Sequence, residues 1–157
     1  MCFWKNLAKF VGMKQSIDFL PERKQRDLHE LVGLIRDEVK DVVMIILYGS
    51  YARNTYVELD IRRDYGGGKI QYMSDYDILV VSKKRLGSRT VTVSSRVKSS
   101  FLKNKNADTQ TRPQIINESI TKFNNALSEG RYFYVDILTE GIVLYDSGEC
   151  QLATPCE

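Results

Sequence analysis

Histidine is almost missing from this chain. His29 stands alone, and no Cys, Asp or Glu around it forms a metal-ligand spacing. A histidine-based zinc site or general base is therefore not expected. His29 lies among charged neighbours beside an apolar stripe and is read as a surface residue. Cysteine is nearly as scarce. Cys2, Cys150 and Cys156 are odd in number and sit near the ends, which suits reduced thiols in a cytoplasmic protein. Long apolar runs are missing too, and none approaches the ~20 residues a membrane helix needs. The opening stretch, from Met1 to Met13, mixes Trp4, Phe10 and Val11 with Lys5 and Lys9 and lacks the small-residue cleavage site of a signal peptide. No internal repeat and no low-complexity linker interrupts the sequence.

What is present fits a single domain. The 157 residues are 43% apolar and 27% charged, the balance of a globular chain. Residues 1–20 are expected to be an N-terminal extension, residues 21–148 the domain, and residues 149–157 a tail. The net charge of +3 hides an asymmetry, because residues 83–112 hold nine Lys and Arg against Asp108 alone. Such a stretch attracts a polyanion such as RNA, or an acidic partner, or it is simply a solvated face.

Periodicity gives the elements. Pro21 suits the first turn of a helix, and Leu28, Leu31, Val32, Ile35 and Val39 recur at helical spacing through residues 22–40. Val42 to Tyr48 is a short, β-branched apolar run, expected as a buried central strand. Gly49 breaks it, and Ser50 is placed to cap a short helix over residues 51–55. Residues 56–73 read as two strand-like pieces around Gly66, Gly67 and Gly68, a hairpin and not a phosphate loop, since no Gly-Lys-Ser/Thr follows. A second buried strand covers residues 77–82. A helix is expected over 94–103, a short strand over 113–117, and a helix over 119–129 with Ile120, Phe123 and Leu127 on one face, stopped by Gly130. The apolar run of residues 131–139 is expected as a third strand, and residues 142–145 as the last.

Two short stretches carry the chemistry. The first is Leu47-Tyr48-Gly49-Ser50-Tyr51-Ala52-Arg53, a strand end, a glycine turn and a helix start, whose unpaired N–H groups suit an anion. The second is Ser74-Asp75-Tyr76-Asp77-Ile78-Leu79-Val80. Strand side chains alternate, so Asp75 and Asp77 share a face. Two carboxylates that close repel unless a cation lies between them. A hard divalent ion, held by one or two carboxylates and by phosphate oxygens, meets that need. Phosphate and metal together point to nucleotide chemistry. Asp136 lies in the apolar run 131–139 and has two readings: a solvated acid on an exposed face, or a third ligand beside Asp77 in the sheet. Arg53, one turn along the short helix, can serve a phosphate or pair with a carboxylate.

Gly49-Ser50-x-Ala52-Arg53 followed by Ser74-Asp75-x-Asp77-Ile78-Leu79-Val80, with the later Asp136, resembles the minimal nucleotidyltransferase (MNT) branch of the DNA polymerase beta-like superfamily. The likeness runs from about Leu28 to Tyr145. It implies an α/β (α+β) fold, a short mixed twisted sheet with helices packed on one side, here with an inserted β-hairpin over 56–73. It implies that ATP or another nucleoside triphosphate binds by its phosphates near Gly49, Ser50 and Arg53. Asp75, Asp77 and Asp136 would hold Mg²⁺, with Mn²⁺ as the alternative metal, and would catalyse transfer of a nucleoside monophosphate to a hydroxyl. Two departures stand out: the inserted hairpin, and Asn54 in place of a glycine after the arginine. The hairpin pattern and the tail are similar to larger bacterial proteins in which a HEPN domain follows. The resemblance therefore implies a HEPN-domain partner in the same or another chain, as in toxin–antitoxin systems where the transferase adds AMP to its partner. Other expectations of the same class are an RNA end or a small aminoglycoside-type acceptor. A non-catalytic, antitoxin-like binding module is the contrasting one.

Overall fold

The computed structural model describes residues 13–155. Most of the expected N-terminal extension, with Cys2, therefore lies outside the described residues, as does Cys156; Cys150 is a free thiol. The class is the expected mixed α+β one. Helix α1 (Glu22–Glu38) leads into strand β1 (Val42–Tyr48), the one-turn helix α2 (Gly49–Arg53), strands β2 (Asp60–Arg63) and β3 (Lys69–Tyr72), then β4 (Tyr76–Ser82). Helix α3 (Arg89–Leu102), strand β5 (Pro113–Ser119), helices α4 (Ile120–Ser128) and α5 (Tyr132–Glu140), and strand β6 (Ile142–Asp146) complete it.

The sheet order is β5-β4-β1-β6, antiparallel except for the parallel β4–β5 pair. β1 is central, which is why six of its residues in a row are buried. Alternation along the strands feeds two cores. Ile45, Leu47, Tyr76, Ile78 and Val80 pack with Leu28, Leu31 and Ile35 of α1 and Val93, Val97 and Phe101 of α3. Val43, Ile46, Leu79 and Val81 pack with Phe123 and Leu127 of α4 and Ile137 and Leu138 of α5. The two long helices thus share one side of the sheet, and the two nine-residue helices cover the other. No helix among the described residues is long and apolar enough to cross a membrane.

The ends of the described chain are tied down. Ile17 and Leu20 enter the first core, and the Val143 N–H donates to the Lys14 carbonyl at 2.8 Å. Leu152 and Ala153 enter the second core, and the Asn124 amide brackets them by bonding the Gln151 carbonyl at 2.9 Å and the Ala153 N–H at 2.8 Å. His29 is exposed, as expected.

One expected element is wrong. The apolar run of residues 131–139 favours a strand, but Tyr132–Glu140 is the helix α5. Its core-facing residues Tyr134, Ile137 and Leu138 follow helical spacing, and a short apolar run satisfies both templates. Gly130, at φ +70°, ends α4 and reverses the chain. Asp136 therefore does not stand in a strand beside Asp77.

The hairpin forms as expected, with Asp60 opposite Tyr72 and Arg63 opposite Lys69. The Asp64 side chain accepts from the Gly66 and Gly68 N–H groups at 2.9 and 2.6 Å, which fixes the turn. Two bonds close its root: the Ser74 N–H to the Val57 carbonyl, and the Val57 N–H to the Ser74 hydroxyl, both 2.9 Å. The serine of the Ser-Asp-x-Asp stretch is thus a clamp for the insertion, and it is buried.

Candidate active site

β1 and β4 run antiparallel, so the exit of one lies beside the entry of the other. Tyr48 pairs with Asp77 across them. That register brings the glycine turn against the second acid. Gly49 has φ +74°, and a Cβ there would collide with the Asp77 carboxylate, with Cγ at 3.2 Å and Cβ at 3.3 Å. Glycine at 49 therefore answers two needs: a left-handed backbone and room for a carboxylate.

Asp75 and Asp77 share the α4/α5 face, since Tyr76 and Ile78 between and beside them fill the first core. Asp75 is exposed and Asp77 half-buried. Neither carboxylate accepts a hydrogen bond from the described residues. Partial burial pushes the Asp77 carboxyl above its ordinary value, the Asp75 charge pushes it further, and the Arg53 guanidinium opposes both. Burial, with the charge of Asp77, pushes the Tyr48 phenol up to about 12. The electrostatics are those of a place short of positive charge.

α2 starts at Gly49, with Tyr48 as its cap residue and no side-chain cap bond, so Ser50 lies inside the helix and does not cap it. The first N–H groups of that turn lack intrahelical partners. Asn54 closes the helix in the left-handed region at φ 59°. Asn is, after glycine, a residue that tolerates this conformation, so the departure from glycine is accommodated.

Arg53 bonds Glu140 of α5 at 3.3 Å. Between α2 and α5 lies a cavity of about 220 Å³, lined by Tyr48, Gly49, Arg53, Phe133, Asp136, Ile137 and Glu140. Asp136 thus reaches the same side of the sheet as Gly49, but as an exposed acid on a helix. It is not gathered with Asp75 and Asp77: among the described residues, no group of three or more His, Cys, Asp or Glu is close enough to hold a metal ion. The sequence reading missed Glu140, whose one signal was an acid at the end of the run that proved helical.

A divalent cation fits the pair on two observations. The glycine at 49 lets the Asp77 carboxylate lie against the turn, where any Cβ would collide with it. Burial and the Asp75 charge both raise the cost of ionising Asp77, and no hydrogen-bond donor among the described residues relieves it.

The opposite face of β4 is closed. The Tyr76 hydroxyl donates to Asp27 at 2.8 Å, and the Gln110 amide donates to the same oxygen at 2.9 Å. Lys24, 2% exposed, donates to the Tyr51 hydroxyl at 2.8 Å and to the Thr111 hydroxyl at 3.3 Å. Tyr51 stacks on Tyr56 with ring centroids 4.1 Å apart. This network fixes α2 and the mouth of β4 from behind.

The basic stretch 83–112 is partly neutralised: Lys83 pairs with Glu149, Arg96 with Glu38 and Lys105 with Glu30.

No protein-family model matches the sequence. No curated protein matches it. Among solved structures, the chain is similar to a putative nucleotidyltransferase from Sulfolobus solfataricus, with 16% identity, 87% of this chain and 93% of that chain covered, and a TM-score of 0.43. It is also similar to a toxin–antitoxin complex determined with AMP-PNP, with 17% identity, 76% and 73% covered, and a TM-score of 0.46. Both likenesses are distant, and neither gives any residue a role.

Proposed function

We propose that this chain is a nucleotidyltransferase that moves a nucleoside monophosphate, AMP from ATP in the first instance, onto a hydroxyl acceptor. The observation that supports this most is the pair Asp75 and Asp77 at the strand mouth, unpartnered, against a glycine turn shaped around one of them. Asp75 and Asp77 would hold Mg²⁺, with Mn²⁺ as substitute. When bound, that ion supplies positive charge for the triphosphate and for the charge that builds up on the leaving oxygens.

The chain's own residues do the rest. The N–H groups of Gly49 and Ser50 hold phosphate oxygens, and Arg53 exchanges Glu140 for a phosphate. The acceptor hydroxyl oxygen bonds to the α-phosphorus, and the bond from that phosphorus to the β-bridging oxygen breaks. Pyrophosphate leaves with the bonding pair, and the hydroxyl proton passes to Asp136 and then to water. Holding the acceptor in line with the leaving group supplies most of the rate. Acceptors of the expected kinds are a hydroxyl on a HEPN-domain partner, an RNA end or a small molecule.

The test is calorimetry with ATP and Mg²⁺, followed by α-labelled ATP transfer in the presence of a HEPN-domain protein. Binding that Asp77→Asn abolishes supports the reading; absence of nucleotide binding by the unaltered chain overturns it.

A second reading is a non-catalytic, antitoxin-like docking module. The hairpin favours it: Leu59, Ile61, Tyr65, Ile70 and Tyr72 are all exposed there. Partner binding that survives Asp75→Asn and Asp77→Asn, without nucleotide, would select it.

A further inference from the structure

β5 lies parallel beside β4, and its register sets Gln114 across from Asp77, Ile115 across from Ile78 and Ile116 across from Leu79. Residues so paired send their side chains to the same face of the sheet. The cores agree: Ile115 lies with Ile78 in the first, and Ile116 packs against the second with Leu79. Alternation then puts Gln114 on the face of Asp75 and Asp77. Neighbouring strands are about 4.8 Å apart, so the amide stands within reach of whatever Asp77 binds.

Gln114 is exposed, and its amide makes no hydrogen bond with the described residues. Pro113 before it is buried and anchors the strand start. On the other flank of Asp77, one strand over, stands Tyr48. Along the sheet, then, the second acid lies between a phenol and an amide.

We infer that Gln114 is a further ligand-contacting residue of this site, donating its side-chain N–H to a phosphate oxygen of the nucleotide. The inference rests on the nucleotidyltransferase reading and adds to it. A triphosphate offers acceptors alone, and a neutral amide offers two donors without adding charge. A carboxylate in the same place would add a third negative charge beside a pair that already repels. An aliphatic side chain would offer the phosphate no donor from β5.

Calorimetric titration with ATP and Mg²⁺ of the unaltered chain, Gln114→Ala, Gln114→Glu and Asp77→Asn decides it, with a thermal melt to verify folding. Gln114→Ala should weaken nucleotide binding roughly tenfold, the loss of one hydrogen bond to a charged group. Gln114→Glu should weaken it at least as much, while binding Mn²⁺ alone more tightly than the unaltered chain. Gln114→Ala or Gln114→Glu binding ATP as the unaltered chain does, while Asp77→Asn loses it, would overturn the assignment of Gln114 and leave the function standing. No ATP binding by the unaltered chain would overturn both.

Discussion

Tyr76 and Asp77 are neighbours in one strand, yet they meet opposite worlds. Tyr76 points into a network that is fully paired: its hydroxyl and the Gln110 amide both serve Asp27, an acid only 7% exposed. Burial, then the bond to Asp27, pushes the Tyr76 phenol far above its ordinary value. Asp77 points to the other face, where the Asp75 charge acts on it more strongly than the opposing Arg53 guanidinium and no hydrogen-bond donor answers it. A buried acid with two donors is a structural part; a half-buried acid with none keeps an unmet electrostatic demand. The lesson is that burial by itself does not mark a site. The unmet partner does.

The contrast can be broken from either side. The largest effect is expected from Asp77→Ala, which should lower nucleotide transfer on the order of 10²–10³-fold, the scale for removal of a charge-stabilising group; Asp27→Asn should leave the nucleotide affinity of the folded fraction unchanged. Gly49→Ala comes next. Its Cβ meets the Asp77 carboxylate and its left-handed φ costs about 1–2 kcal/mol, so urea denaturation and ATP titration should both register a loss. On the closed face, Tyr76→Phe removes one of the two donors to Asp27 and should cost about 1.5–3 kcal/mol in urea denaturation, with ATP binding kept.

The smallest effect has the opposite sign. Asp77→Asn should raise the melting temperature of the ligand-free protein at neutral pH by a few degrees, on the order of 1 kcal/mol for a chain this size. Because the folded-state carboxyl lies above its ordinary 3.8, ionised Asp77 destabilises the fold once pH rises through that raised value. The gain from asparagine should therefore vanish in acid, below 3.8, where the aspartate is protonated in both states. Melting curves of both proteins across pH check the sign.

Much of this was legible in the sequence. β1 was bounded to the residue because an apolar, β-branched run ended by glycine has few other readings. The hairpin around Gly66, Gly67 and Gly68 and the shared face of Asp75 and Asp77 followed from turn chemistry and period-two alternation. α5 was not legible, since Phe133, Tyr134, Ile137 and Leu138 satisfy a helix while their residue types favour a strand. That error carried Asp136 into the wrong setting. The polar network was equally hidden: Lys24 and Asp27 look like the solvent face of α1, and only the tertiary arrangement of Tyr51, Tyr76 and Thr111 makes them interior. Gln114 could not be singled out, because its meaning comes from register, which a sequence does not state.

The Arg53–Glu140 pair has a mechanical side. It ties the one-turn helix at the site to the end of α5, whose outer surface carries Tyr132, 87% exposed. A ligand that takes Arg53 does not gain a free cation; it trades against an existing bond, and Glu140 is released as the ligand is seated. The amides at the end of α5 should then exchange with deuterium at a rate that depends on occupancy. The end of α5 would then report, from the far side of the cavity, whether the site is filled.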